Sequence, residues 1–109
     1  MDELLQLSKT LSKEGYEDVL FLSLEDARKI LTEKRLELIQ TIRDEEIESI
    51  RDLARKLGRK ENVVYDDLKL LFEEGVIDFE EESNRKIPVL RHENIWIRPL
   101  VLERKKVPA

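Results

Sequence analysis

Apolar residues fall into short periodic runs separated by charged stretches, and their spacing changes from helical to strand-like beyond Gly75. Residues 3–13 carry Leu4, Leu7 and Leu11 at helical spacing with Leu5 beside them, which predicts an amphipathic helix ending near Gly15. Val19, Leu20, Phe21 and Leu22 in a row make Asp18–Leu22 a short extended segment. Ser23-Leu24-Glu25-Asp26 has the form of a capping box and predicts a short helix through Ile30. Thr32 caps the next, Glu33–Arg43, with Leu36, Ile39 and Ile42 expected to point inward. Asp44–Glu48 is a polar break with room for a short strand around Ile47.

A second box, Ser49-Ile50-Arg51-Asp52, opens a helix in which Ile50, Leu53, Ala54 and Leu57 follow the i, i+3, i+4, i+7 pattern of one buried face. Gly58 stops it. A further helix begins near Lys60 and runs to Glu74 with Val64, Leu68 and Leu71 facing the core, and Gly75 stops that one. Val76–Glu80 and Ile87–Leu90 are strand-like runs separated by the polar stretch Glu81–Lys86, which predicts a hairpin with Pro88 on a sheet edge. Ile95-Trp96-Ile97 is one more short strand, ended by Pro99, and the basic tail Glu103–Ala109 is expected to fray.

Composition narrows the chemistry. The 109 residues suit one domain; 40% are apolar, enough for a single core, whereas 41% are charged, far above the usual quarter. That surface, with no Cys and one Met, is shared by thermophile proteins rich in ion pairs and by ordinary helix-rich surfaces. Without cysteine there is no disulfide framework, thiolate metal site or Cys nucleophile, and His92 alone cannot build a histidine metal centre. No cofactor is implied. An enzyme is not expected: the serines lack an evident base, no Gly-rich phosphate loop is present, and His92 stands isolated beside Glu93 as a surface or strand residue. Met1-Asp2-Glu3 is acidic where a signal peptide is basic, and no apolar run is long enough for a membrane span, so the expected location is cytoplasmic.

Helix, helix, a tight turn at Gly58, helix and then a hairpin is the element order of a winged helix-turn-helix. Leu53-Ala54-Arg55-Lys56-Leu57-Gly58, followed by Val64, Leu68 and Leu71 and then Glu74-Gly75-Val76-Ile77, resembles the ArsR/MarR-like winged-helix regulators. Leu31-Thr32-Glu33-Lys34-Arg35-Leu36-Glu37-Leu38 and Arg85-Lys86-Ile87-Pro88-Val89-Leu90-Arg91 are similar to a group of short predicted DNA-binding regulators within that superfamily. The resemblance covers residues 24–98. It implies that Ala54 is the small residue against which the recognition helix packs. It also implies a fold that is mainly α with a small β-hairpin wing, here with an extra N-terminal helix. The expected organisation is an N-terminal element 1–22 that could serve dimerisation, a winged helix-turn-helix domain 23–98 and a tail 99–109.

The implied partner is double-stranded DNA, with the helix at about 60–74 in the major groove and the wing at about 76–90. Lys60, Glu61, Asn62, Val63, Tyr65, Asp66 and Lys69 are the outward positions. Asn62 suits adenine, Val63 a thymine methyl and Tyr65 a base or phosphate; alternatively Asn62 caps the helix and Tyr65 covers its neighbours. The net charge of −5 opposes binding to a polyanion, but Ile50–Lys60 carries Arg51, Arg55, Lys56, Arg59 and Lys60 against Asp52 alone. Lys34, Arg35, Arg85 and Lys86 could join that patch, with Asn84 at the wing tip. The same cations could instead balance neighbouring carboxylates on a solvated face.

The chain departs from the resemblance at Tyr65-Asp66, where such regulators often carry Ser-Arg or His-Arg, and Asp66-Asp67 puts two negative charges in mid-helix. Carboxylates accept from cytosine amino groups but repel phosphate; pairing of Asp66 with Lys69, i to i+3, is the other expectation. Glu80-Glu81-Glu82 loads the wing stem with the same sign. A homodimer through Leu4, Leu7 and Leu11, with Trp96, is expected; folding of the helix back onto its own core is the alternative. The rival function is a protein-interaction winged helix, such as an antitoxin-like protein that binds a basic partner such as a toxin.

Overall fold

The computed structural model describes residues 18–99 and Leu102. The Leu4, Leu7 and Leu11 stripe and the tail from Glu103 lie outside the described residues. Among the described residues, four helices and two small sheets follow one another as β1 (Val19–Leu22), α1 (Leu24–Ile30), α2 (Glu33–Asp44), α3 (Ile50–Leu57), α4 (Glu61–Glu73), β2 (Ile77–Glu82), β3 (Arg85–Leu90) and β4 (Asn94–Ile97).

Capping chemistry sets the helix starts. The Ser23, Thr32 and Ser49 hydroxyls accept from the amides of Asp26, Arg35 and Asp52 at 3.0, 3.3 and 3.0 Å, each satisfying an amide that has no partner within its helix. Backbone geometry sets the end of α3. Gly58 has φ +63°, its amide donates to the Arg55 carbonyl at 3.2 Å, and the Arg59 amide reaches the Ala54 carbonyl at 3.0 Å, a Schellman motif. No side-chain collision requires glycine there, since a Cβ would meet nothing within 4 Å; the left-handed backbone does. Gly75, with φ +79°, ends α4 by the same pair of bonds.

The core lies between α2, α3, α4 and the hairpin, with Leu38, Leu53, Val64, Leu68, Leu71 and Ile77 fully buried. Burying each such side chain stabilises the fold by roughly 1.5–3 kcal/mol. The inward residue of α2 is Leu38, with Ile39 and Ile42 half-buried beside it, whereas Leu36, expected inward, is exposed. Arg35 lies on the same inward stripe, three residues before Leu38, because a carboxylate of α4 meets it there.

No strand forms around Ile47, although its side chain is buried. Side chains of α3 take the backbone groups that a ladder would use. Asp52 accepts from the Glu48 amide at 3.1 Å, and the Lys56 ammonium donates to the Glu46 carbonyl at 2.6 Å.

The hairpin is tighter than its polar composition suggests. Glu81, Glu82, Arg85 and Lys86, read as loop, belong to the strands, and only Ser83 and Asn84 form the turn, with φ of +51° and +66°. Positive φ at both central residues is the turn whose twist matches a two-stranded ribbon. The register places Glu82 opposite Arg85 and Glu81 opposite Lys86, so opposite charges face each other across the stem. Counting from that turn, Pro88 falls at a position that does not hydrogen-bond to β2. Its missing N–H therefore belongs to the outer edge of the two-stranded sheet. Phe79 packs against Phe72 of α4 with the rings tilted by 44° and their centroids 5.3 Å apart.

β1 pairs in parallel with β4, Val19 opposite Asn94 through Leu22 opposite Ile97. Residues 18–22 are therefore joined to the segment that follows the hairpin. The Asp18 carbonyl accepts from the amides of Glu93 and Asn94, and the Asp18 carboxylate lies 2.8 Å from His92 Nδ1. His92, isolated in the sequence, thus has a partner in space.

Candidate nucleic-acid interface

The outward side of α4 follows from its buried side. Opposite Val64, Leu68 and Leu71, the helical period places Asn62, Asp66, Lys69 and Glu73, all exposed, with Val63 and Tyr65 exposed on the flanks. Lys60 is the N-cap residue and its side chain makes no capping bond, so the first amides of α4 are left without a side-chain acceptor. Asn62 is two positions too far along the helix to be that cap. With Tyr65, Glu61 and Ile50 it lines an open recess of about 480 Å³ between α3 and α4.

The cations expected around this face divide into three sets. Arg59 donates from Nη2 to Asp67 Oδ2 at 2.7 Å, and Arg35 donates from Nε to Asp67 Oδ1 at 3.2 Å. Arg35 also donates from Nη1 to the carbonyls of Lys29 and Ile30, the last of α1. The three side chains are only 14–19% exposed, and among the described residues Arg59 Nη1 is buried without an acceptor. Arg35 and Arg59, expected to hold phosphate, are thus withdrawn from the accessible patch: their charge holds three helices together.

Asp52 organises a second cluster at the start of α3. Its carboxylate accepts from Arg55 Nη2 at 2.7 Å and lies 3.3 Å from Lys56 Nζ. The Arg55 hydrogen bond, then that of the Glu48 amide, hold its pKa down at about 2 against the opposing effect of burial, with Lys56 adding to the depression. Lys56 is thereby turned toward Glu46 and Asp52, whereas the Arg55 side chain stays 78% exposed while it holds Asp52.

Among the described residues, Arg51, Lys60, Lys69, Arg85 and Lys86 make no ion pair, and Lys34 reaches Glu37 only at 3.9 Å. The expected pair between Asp66 and Lys69 does not form; both side chains are exposed. Acidic residues gather elsewhere: Glu46, Glu48 and Glu82 line a recess of about 330 Å³ with Ile47, Ser83, Arg85 and Ile87, between the α2–α3 loop and the hairpin turn. Asn84, Arg85 and Lys86 are exposed at the hairpin tip but stand next to those acids. No group of three His, Cys, Asp or Glu side chains among the described residues is arranged to hold a metal ion. None of their helices is long and apolar enough to cross a membrane.

The family model described as HVO_A0114 matches residues 30–97, more than half of the chain. The chain belongs to the HVO_A0114 family. No curated protein matches it. The HVO_A0114 span runs from the last residue of α1 to the last of β4 and so contains every candidate DNA contact named above, and Trp96. It leaves out Leu4, Leu7 and Leu11.

Spacing along the chain points to part of this HVO_A0114 site. Asp52 is followed by Arg55 and Lys56 at i+3 and i+4, a readable helical cluster. The Asp67 latch leaves no such trace: its partners are eight and 32 residues away, on other elements.

Proposed function

We propose that the chain is a sequence-specific double-stranded DNA-binding transcription regulator, a winged helix-turn-helix of the ArsR/MarR-like kind. In this reading α4 is the recognition helix and β2–β3 the wing. One observation carries it: α3 and α4 meet at the left-handed Gly58 turn, and α4 turns Asn62, Val63, Tyr65 and Lys69 outward from uncapped first amides. Arg51 and Arg55 lie on one face of α3, and Lys60 stands at the start of α4, where backbone phosphates would be held. The protein acts without catalysis or cofactor, in the cytoplasm and as a homodimer, so that two recognition helices meet successive turns of the groove. A light-scattering mass of one chain at micromolar concentration would remove the dimer.

Selection from sheared genomic DNA tests the main reading. Enrichment of discrete sites is expected; a pool that stays random through successive rounds contradicts it. The acidic recess at Glu46, Glu48 and Glu82 favours a second reading, an antitoxin-like module that takes a basic partner protein. Under that reading Glu46→Gln with Glu82→Gln weakens binding of the basic partner; equal binding by the variant removes it.

A further inference from the structure

Adjacent aspartates on α4 have opposite fates. Asp67 gives one carboxylate oxygen to Arg35 and the other to Arg59, and its charge is more than matched. Asp66, one residue earlier, is exposed and makes no hydrogen bond or ion pair among the described residues, even with Lys69 three residues on. An unneutralised carboxylate in the middle of the outward stripe repels phosphate, so it gains nothing for a surface that only holds the backbone of a polyanion.

Hydrogen-bonding types along the stripe differ in a useful order. Asn62 offers donors and an acceptor, Asp66 only acceptors, and Lys69 only donors. In the major groove, cytosine presents an amino donor alone, guanine two acceptors, thymine an acceptor and a methyl, and adenine a donor beside an acceptor. An acceptor-only side chain matches cytosine, is repelled by guanine and thymine, and is half-opposed by adenine N7.

Resting on the DNA-binding reading above, we propose that Asp66 is a specificity-determining residue that accepts a hydrogen bond from the 4-amino group of a cytosine facing the middle of α4. Its negative charge weakens binding to every sequence. What it supplies is discrimination, because the lost affinity is recovered only where an amino group meets the carboxylate.

The test compares the full chain with Asp66→Ala by selection from random duplexes, followed by titration of the selected site and of the same site with its cytosine exchanged. Asp66 is exposed and outside the core, so the variant should keep the wild-type fold, checked by circular dichroism and melting temperature. The expected result is a position where wild type requires cytosine and Asp66→Ala accepts any base. Exchanging that cytosine costs wild type about tenfold in affinity and the variant nothing. The variant also binds unrelated DNA more tightly than wild type. If Asp66→Ala binds every sequence more tightly by one common factor with its preferences unchanged, Asp66 only repels phosphate and the proposal is overturned alone. If wild type shows no salt-dependent binding to any duplex, the DNA-binding reading falls and takes this proposal with it.

Discussion

The inward and outward sides of α4 are built by different rules. Inward, Val64, Leu68 and Leu71 fill the core, and Asp67 is gripped by two arginines from neighbouring elements. Outward, Asn62, Tyr65, Asp66 and Lys69 are exposed, and Asp66 and Lys69 leave each other unpaired at a spacing that would allow an ion pair. A helix whose only task was to complete a core would gain a few tenths of a kcal/mol by making that pair. The contrast separates residues that fix where the helix sits from residues left available for a partner, and it assigns neighbouring aspartates to opposite classes.

Substitutions can break that comparison, and the largest effect belongs to the inward side. Leu68→Ala removes a fully buried side chain from the centre of the core and should cost about 2–5 kcal/mol, read as a fall in the urea midpoint. Asp67→Asn leaves Arg35 and Arg59 facing a neutral group in a mostly buried place; a loss of about 2 kcal/mol is expected, below the range for fully buried pairs. Arg59→Ala should be comparably destabilising, whereas Arg51→Ala and Asp66→Asn should stay within about 0.5 kcal/mol of wild type. Equal melting temperatures for Asp67→Asn and Asp66→Asn would erase the distinction between the two sides.

Next comes the support beneath α4. Ser49→Ala removes the hydroxyl that caps α3 and should cost about 1 kcal/mol by denaturant titration. Acid probes the same corner. The carboxyl of Asp52 has a folded pKa near 2, below its ordinary value of 3.8, so its contribution is fully present above that ordinary value and is lost as pH falls toward 2. The acid limb of a stability–pH curve should therefore be shallower for Asp52→Asn than for wild type; parallel limbs would show that Asp52 is not the group responsible.

These tests follow the line between what is legible in the chain and what is not. Ser23, Thr32, Ser49, Gly58 and Gly75 announce the helix boundaries because capping and left-handed turns are local chemistry. Apolar periodicity likewise marks Val64, Leu68 and Leu71. The hairpin itself is legible, but the length of its strands is not, because Glu81, Glu82, Arg85 and Lys86 have loop-like polarity and yet are opposed in register across a two-residue turn. No local pattern shows that the segment around Ile47 is not a strand, since side chains of α3 compete for its backbone. At the candidate site, the outward positions of α4 follow from its buried ones. The withdrawal of Arg35 and Arg59 does not, since it depends on contacts across 32 and eight residues that no local pattern encodes. The link from His92 to Asp18 spans 74 residues and is hidden for the same reason.

The central claim is that the outward face of α4 and the exposed cations beside it hold a DNA duplex. Its most direct test is the salt dependence of duplex binding, measured for wild type and for Arg51→Ala with Lys60→Ala. For wild type, log affinity should fall linearly with log salt, by about 0.9 for each phosphate contacted, and the double variant should show a slope shallower by about 2 with its melting temperature unchanged. A duplex affinity that ignores salt, or a double variant with the wild-type slope, would contradict the account.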